Sequence, residues 1–172
     1  MGNLITVRPY KDADLSQVRA LFIIINRLLA PAHLKDVFEA YIASSMIEEI
    51  GRISEYYGEK KGSFWVAESD GAIVGMFGLE PSGPDAVELR RMYVSPDSRR
   101  QGIAGKMLAF AEDHCRTINV RQLDLSTSEI QSDALSFYRK SGYELVREEV
   151  AEASSNKTIG GGVLRFYFKK CL

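Results

Sequence analysis

Apolar positions follow two periods along the chain, and the switches between them lay out a fold. "LITVRPY" alternates as a first strand, after which an Asp N-cap precedes Leu15, Val18, Leu21, Phe22 and Ile25 at helical spacing in "DADLSQVRALFIIINRLL". A second helical stretch runs from about His33 to Tyr57 on Val37, Phe38, Tyr41, Ile42, Met46, Ile50 and Ile53, with Gly51 as a possible break. Two β-rich runs, "SFWVAES" and "AIVGMFGLE", flank Asp70-Gly71, a strong two-residue hairpin signal. "DAVELRRMYVSP" is a further strand that stops at Pro96. A helix follows from about Arg100 to Thr117, with Ile103, Met107, Phe110 and Ala111 on one face. "VRQLDLST" (strand), "SDALSFYRKSG" (helix closed by Gly142), "YELVREEV" and "GGVLRFYFKK" (strands) complete the chain, and the polar "AEASSNKTIGG" between the last two is expected to be mobile.

The predicted order is β-α-α-β-β-β-α-β-α-β-β. This is an α+β fold: a mixed, mostly antiparallel sheet of about seven strands flanked by about four helices. No repeat or linker divides the chain, so residues 1–172 are expected to form a single domain, long enough for one substantial core.

Charge then narrows the partners. With 22 Lys and Arg against 23 Asp and Glu, the net charge of −1 gives no bulk reason to bind nucleic acid, so any phosphate site must be local. The N-terminus lacks a basic stretch followed by an apolar run, Gly2 is at best a weak match to a myristoylation site, and Asn26 and Arg27 interrupt "LFIIINRLLA" well short of a bilayer span. A soluble, cytoplasmic protein without a membrane partner is expected, as monomer or homodimer. Cys115 and Cys171 are far apart and lack metal-ligand spacing; His33 is no better as a ligand, and His114 falls on the apolar stripe of its helix. The expectation is reduced thiols and no metal.

One segment carries chemistry. "SPDSRRQGIAGKML" feeds a Gly-rich loop from a strand into a helix, which gathers unpaired N–H groups and the positive end of the helix dipole at one point. Gly102 and Gly105 let the main chain approach an anion, and Arg99, Arg100 and Lys106 add charge. A solvated basic capping loop is the plain alternative. Neither the Walker spacing nor G-x-G-x-x-G fits.

"ELRRMYVSPDSRRQGIAGKML" resembles the acetyl-CoA-binding region of the GCN5-related N-acetyltransferases (GNAT), whose loop reads Gln/Arg-x-x-Gly-x-Gly/Ala. Arg99-Arg100-Gln101-Gly102-Ile103-Ala104 matches each fixed position. "SDALSFYRKSGY" resembles the family's A-x-x-F-Y-x-K-x-G-F/Y segment at Ala134, Phe137, Tyr138, Lys140, Gly142 and Tyr143. The first sixty residues match the family only in pattern.

The resemblance implies acetyl transfer from acetyl-CoA, a co-substrate, to a primary amine, taken here as one on a small molecule. Transfer would be by direct attack in a ternary complex. The alternatives are a protein or peptide N-acetyltransferase and a non-catalytic CoA-binding sensor. The resemblance gives Arg99, Arg100, Gln101, Gly102, Ile103, Ala104 and Gly105 the pyrophosphate, with Lys106 at the edge, and Met92, Tyr93 and Val94 the pantetheine arm. Gln131 stands where the family usually has a pantetheine-binding Asn. Tyr138 matches the tyrosine that protonates the departing thiolate, the alternative being a Tyr packed in the core. Glu88 is the candidate base and Glu80 the reserve. Alternation would put Glu88, Arg90, Met92 and Val94 on one face, and an ion pair of Glu88 with Arg90 or Arg121 is the competing reading. A main-chain N–H near Val94, at a strand bulge, is the implied oxyanion donor. Asp36, Glu39, Glu48, Glu49 and Glu55 make the early helices acidic, which would suit a cationic acceptor.

Overall fold

In a computed structural model, whose residues 2–172 are described here, seven strands form one sheet in the order β1-β2-β3-β4-β5-β7-β6. They are β1 Thr6–Pro9, β2 Ser63–Ser69, β3 Ala72–Gly83, β4 Ala86–Val94, β5 Gln122–Ser128, β6 Glu144–Ala151 and β7 Val163–Cys171. Every neighbouring pair is antiparallel except β4 and β5. The helices are α1 Leu15–Leu29, α2 Lys35–Glu48, α3 Ile53–Glu59, α4 Ile103–Thr117 and α5 Ser132–Lys140.

The centre of the sheet is buried on both faces, which is why β3 reads as a nearly continuous apolar run, whereas the edge strand β6 is largely exposed. Val18, Phe22 and Ile25 of α1, Phe38 and Ile42 of α2 and Tyr56 and Tyr57 of α3 pack on one face against Phe64, Val66 and Met76. On the other, Ile103, Met107 and Ala111 of α4 and Tyr138 of α5 pack against Phe77, Leu79, Leu89, Leu125 and Phe168. His114 lies at that core's edge, 4.8 Å from the Trp65 ring, and burial lowers its pKa. Asp70 and Gly71 turn the β2–β3 hairpin with φ of 50° and 81°, the left-handed pair that a tight hairpin requires.

Three predicted features shift. The helical stretch from His33 to Tyr57 is divided, because the backbone leaves helical geometry at Glu49 (φ −140°, ψ −64°). A Cβ on Gly51 would lie 2.5 Å from the Met46 carbonyl oxygen, so the tight turn after the break needs glycine. Helix α4 starts at Ile103, not near Arg100, since Arg100 (φ 62°) and Gly102 (φ 74°) are both left-handed. The polar segment between β6 and β7 is tied to the body through Asn156 and Lys157.

Candidate active site

Strands β4 and β5 begin side by side and then part. Their pairing covers only Ala86 to Leu89 against Gln122 to Leu125, although β4 continues to Val94 and β5 to Ser128. Where the pairing ends, β4 carries a bulge against β3: Met76 faces Tyr93 and Gly78 faces Arg90, which leaves one extra residue on β4. Arg91, at φ 57°, takes the left-handed conformation there.

The bulge corrects the expected alternation. Glu88, Arg90, Met92 and Val94 do not share one face. Arg90 and Arg91 both reach toward the α1–α3 side, where Arg90 bonds Tyr56 and Arg91 bonds Tyr41. Past the extra residue, Met92 and Val94 pack into the α4–α5 core and Tyr93 against α1, 6.0 Å from the Phe22 ring.

A cleft of about 800 Å³, including its open mouth, lies between the parted strands. Glu88, Met92, Tyr93, Gln131 and Tyr138 line it, as do Asn26, Asn156 and Arg165. Tyr138 is only 8 % exposed, its ring against Phe137, Tyr143 and Phe168 and its hydroxyl 3.6 Å from the Met92 sulfur. Burial lifts the phenol pKa well above its ordinary value, so it holds its proton at neutral pH. Gln131 caps α5, and Thr127 donates to its side-chain oxygen at 3.1 Å.

Glu88 is partly buried, with Arg90 Nε 3.5 Å away, so the structure brings together the cleft position and one of the anticipated ion pairs. Burial raises its carboxyl pKa, Lys157 and Arg90 oppose that, and Glu80 and Asp124 add to it. Glu80 is not part of the cleft lining; it is held by Tyr56 at 3.0 Å, Arg90 at 2.6 Å and Lys157 at 3.4 Å.

After β4 comes the loop. No hydrogen bond among the described residues uses the backbone N–H groups of Arg99 to Gly105; the first bonded amide is Lys106, to the Gly102 carbonyl at 3.0 Å. Seven donors in succession are thus free at a helix start, the arrangement that binds phosphate. A Cβ on Gly102 or Gly105 would meet nothing within 4 Å, so the approach is open. The Lys106 ammonium is turned away to the Ile5 carbonyl. Val94 and the loop lie outside the cleft lining, in direct continuation of the strand that forms one wall.

A family model described as an acetyltransferase (GNAT) domain matches residues 60–145, half of the 172 residues. The chain belongs to the GNAT acetyltransferase family. The N-acetyltransferase family 8 member 2 of Rattus norvegicus is 32 % identical over 109 residues, covering 60 % of this chain and 48 % of that protein. The uncharacterized N-acetyltransferase YjgM of Escherichia coli is 28 % identical over 106 residues, 60 % of this chain and 62 % of its own. The chain spans about half the length of several curated relatives it matches. Among solved structures, the PaiA N-acetyltransferase of Thermoplasma acidophilum, in complex with coenzyme A, superposes with a TM-score of 0.76 at 18 % identity over 98 % of this chain and 99 % of that one. That agreement establishes the GNAT fold.

Beside the cleft this GNAT chain holds a buried ionic cluster that periodicity does not reveal. Glu49, with no exposed surface, accepts from Arg91 Nε and Nη2 at 3.1 Å each and from the Tyr57 hydroxyl at 2.8 Å, and lies 2.8 Å from Arg90 Nη2. Burial alone would raise its carboxyl pKa, but Arg91 and Arg90 hold it below the ordinary range. The Asn156 carbonyl accepts from both arginines, which docks the β6–β7 segment over them. Gly78 makes room for this cluster, since a Cβ there would lie 2.3 Å from the Tyr57 hydroxyl oxygen. The acidic character expected of the early helices is therefore largely spent within the protein: Glu49 on these arginines, Glu39 on Arg27 at 2.8 Å and Glu55 on Arg52 at 2.7 Å. Asn26, which breaks the apolar run of α1, is the one cleft residue of that helix with a visible sequence signal.

Proposed function

We propose that this GNAT domain transfers the acetyl group of acetyl-CoA to a primary amine of a small molecule, by direct attack within a ternary complex in the cytoplasm. The observation that carries this reading is the run of unbonded amides from Arg99 to Gly105, set at the end of the strand whose bulge opens the cleft. Those amides would hold the pyrophosphate of acetyl-CoA, with Arg99 and Arg100 adding charge. The unpaired edge of β4 at Met92, Tyr93 and Val94 would take the pantetheine arm as an added strand, and Gln131 would offer its amide to the same arm.

At the reacting end, the amine nitrogen forms a bond to the thioester carbonyl carbon, and Glu88, its carboxylate basicity raised by burial, takes the nitrogen's proton. A main-chain N–H of β4 near Val94 donates to the developing oxyanion. The carbon–sulfur bond then breaks, and the Tyr138 hydroxyl supplies the proton to the thiolate. Cys115 is buried, burial raises its thiol pKa to about 11, and it lies outside the cleft lining, which supports a path without an acyl-enzyme.

The test is release of free thiol from acetyl-CoA across amino acids, polyamines, aminoglycosides and peptides. Amine-dependent release with small amines is the expected result. CoA binding with background thiol release throughout would replace this reading by a sensor, and release with peptides alone would replace it by a peptide acetyltransferase.

A further inference from the structure

Three arginines line the cleft, and their electrostatic situations differ. Arg90 and Arg91 are each neutralised, Arg90 by Glu49 and Glu80 at 2.8 and 2.6 Å and Arg91 by Glu49 at 3.1 Å. Arg165 on β7, 8 % exposed, has no carboxylate within ion-pair distance among the described residues. One of its five N–H groups donates to Ser126 Oγ at 2.8 Å, while the buried Nε has no partner among the described residues. Glu149, opposite Arg165 across β6, is turned to Arg147 at 2.8 Å. Ser128, opposite Arg165 across β5, has a buried hydroxyl that also lacks a partner among those residues.

These groups occupy one side of the sheet. Phe166 and Phe168 of β7 and Leu123 and Leu125 of β5 pack into the α4–α5 core, so alternation sends Arg165, Ser126 and Ser128 to the opposite face, the one toward which Arg90 reaches. A buried guanidinium without a counter-charge is costly, and an unused Nε beside an unused hydroxyl marks where an anion would satisfy both. The pyrophosphate cannot be that anion, because its cradle lies at the start of α4, outside the cleft lining.

We propose that Arg165, with Ser128, binds a carboxylate carried by the acceptor, so that the substrate class is amines of the amino-acid type. The proposal rests on the acetyltransferase reading above. The planar fork of the guanidinium matches a carboxylate's two oxygens, and a single negative charge balances the single uncompensated positive one. Glu88, on the same cleft, then faces the amine end of a molecule whose acid end is fixed.

The experiment compares matched pairs: amino acids, their amides, and the amines that lack the carboxylate. With wild type, kcat/KM for the carboxylated member should exceed its partners by on the order of 100-fold, most of it in KM. R165Q should bring that ratio to near unity, R165K should recover part of it, and S128A, a milder change, should lower it several-fold. Equal rates within pairs for wild type, or an unchanged ratio in R165Q and S128A, would overturn the proposal. Equilibrium binding of the amino acids to the CoA-bound protein separates the two readings. If turnover is absent but R165Q weakens amino-acid binding at least tenfold relative to the amide, the acetyltransferase reading fails and the carboxylate site stands.

Discussion

Glu49→Gln tests whether the ionic cluster holds the bulge of β4. The substitution preserves shape and removes one charge, in a side chain with no exposed surface that Arg91 grips through two nitrogens at 3.1 Å each. Arg90 keeps Glu80 at 2.6 Å, but Arg91 has no other carboxylate within ion-pair distance among the described residues. Orphaning a buried cation costs about 3–5 kcal/mol, and a glutamine amide must point an N–H at an arginine donor on one side. At roughly 2–4 °C per kcal/mol for a chain of this size, even the lower figure lowers Tm by about 6–12 °C, read by far-UV circular dichroism. The pH dependence has a definite sign. Glu49's folded pKa is depressed, so its stabilisation is complete above the unfolded carboxyl value of about 4.5. That stabilisation is lost as pH falls through the folded value. The gap between wild type and E49Q should therefore be constant near neutrality and close only in acid. Replacing both partners by apolar residues, E49L with R91M, should recover more than half the loss of E49L alone, because it removes the orphaned charge. E49Q melting within about 2 °C of wild type, or additive losses in the double variant, would show that the Glu49–Arg91 pair does not stabilise the fold.

Tyr138→Phe should lower kcat by about 100-fold with acetyl-CoA affinity within a factor of about three; unchanged turnover would reject Tyr138 as the acid. Gly102→Val places a β-branched residue at φ 74° in the open approach to the loop amides and should weaken acetyl-CoA binding at least about tenfold in calorimetry, whereas normal affinity would remove the loop from the binding site. For Glu88 the folded pKa is raised, so a base there must lose its proton at a pH above the ordinary carboxylate value. The acid limb of kcat/KM should accordingly sit above pH 4.5, and Glu88→Gln should abolish that limb along with most of the activity; a variant that keeps the limb would point to another base.

The sheet was legible because its signals are local. Asp70-Gly71 fixes a hairpin by its own dihedrals, and the apolar stripe of α4 shows at a spacing of three and four. The loop was legible for the same reason: a helix start with Gly102 in front exposes its amides whatever the rest of the chain does. The bulge was not, since an extra residue on β4 exists only relative to the register of β3. Strict alternation from Glu88 to Val94 consequently assigned Met92 and Val94 to the wrong face.

Charges were the least legible feature, for a related reason. Glu49 lies 42 residues from Arg91, and the Asn156 amide that reaches it is 107 residues away, so the segment carrying Asp36, Glu39, Glu48 and Glu49 looks uniformly acidic in sequence although Glu49 is paired in the fold. Arg165 looks in sequence like one more cation on an alternating strand, and it differs from Arg90 and Arg91 in what fails to approach it. On the proposed donor side, recognition by main-chain amides would leave a motif of glycines and spacing that a single sequence displays. On the acceptor side, the proposed recognition by Arg165 would depend on which buried charge is left over after the others have paired, and that remainder is a property of the whole fold.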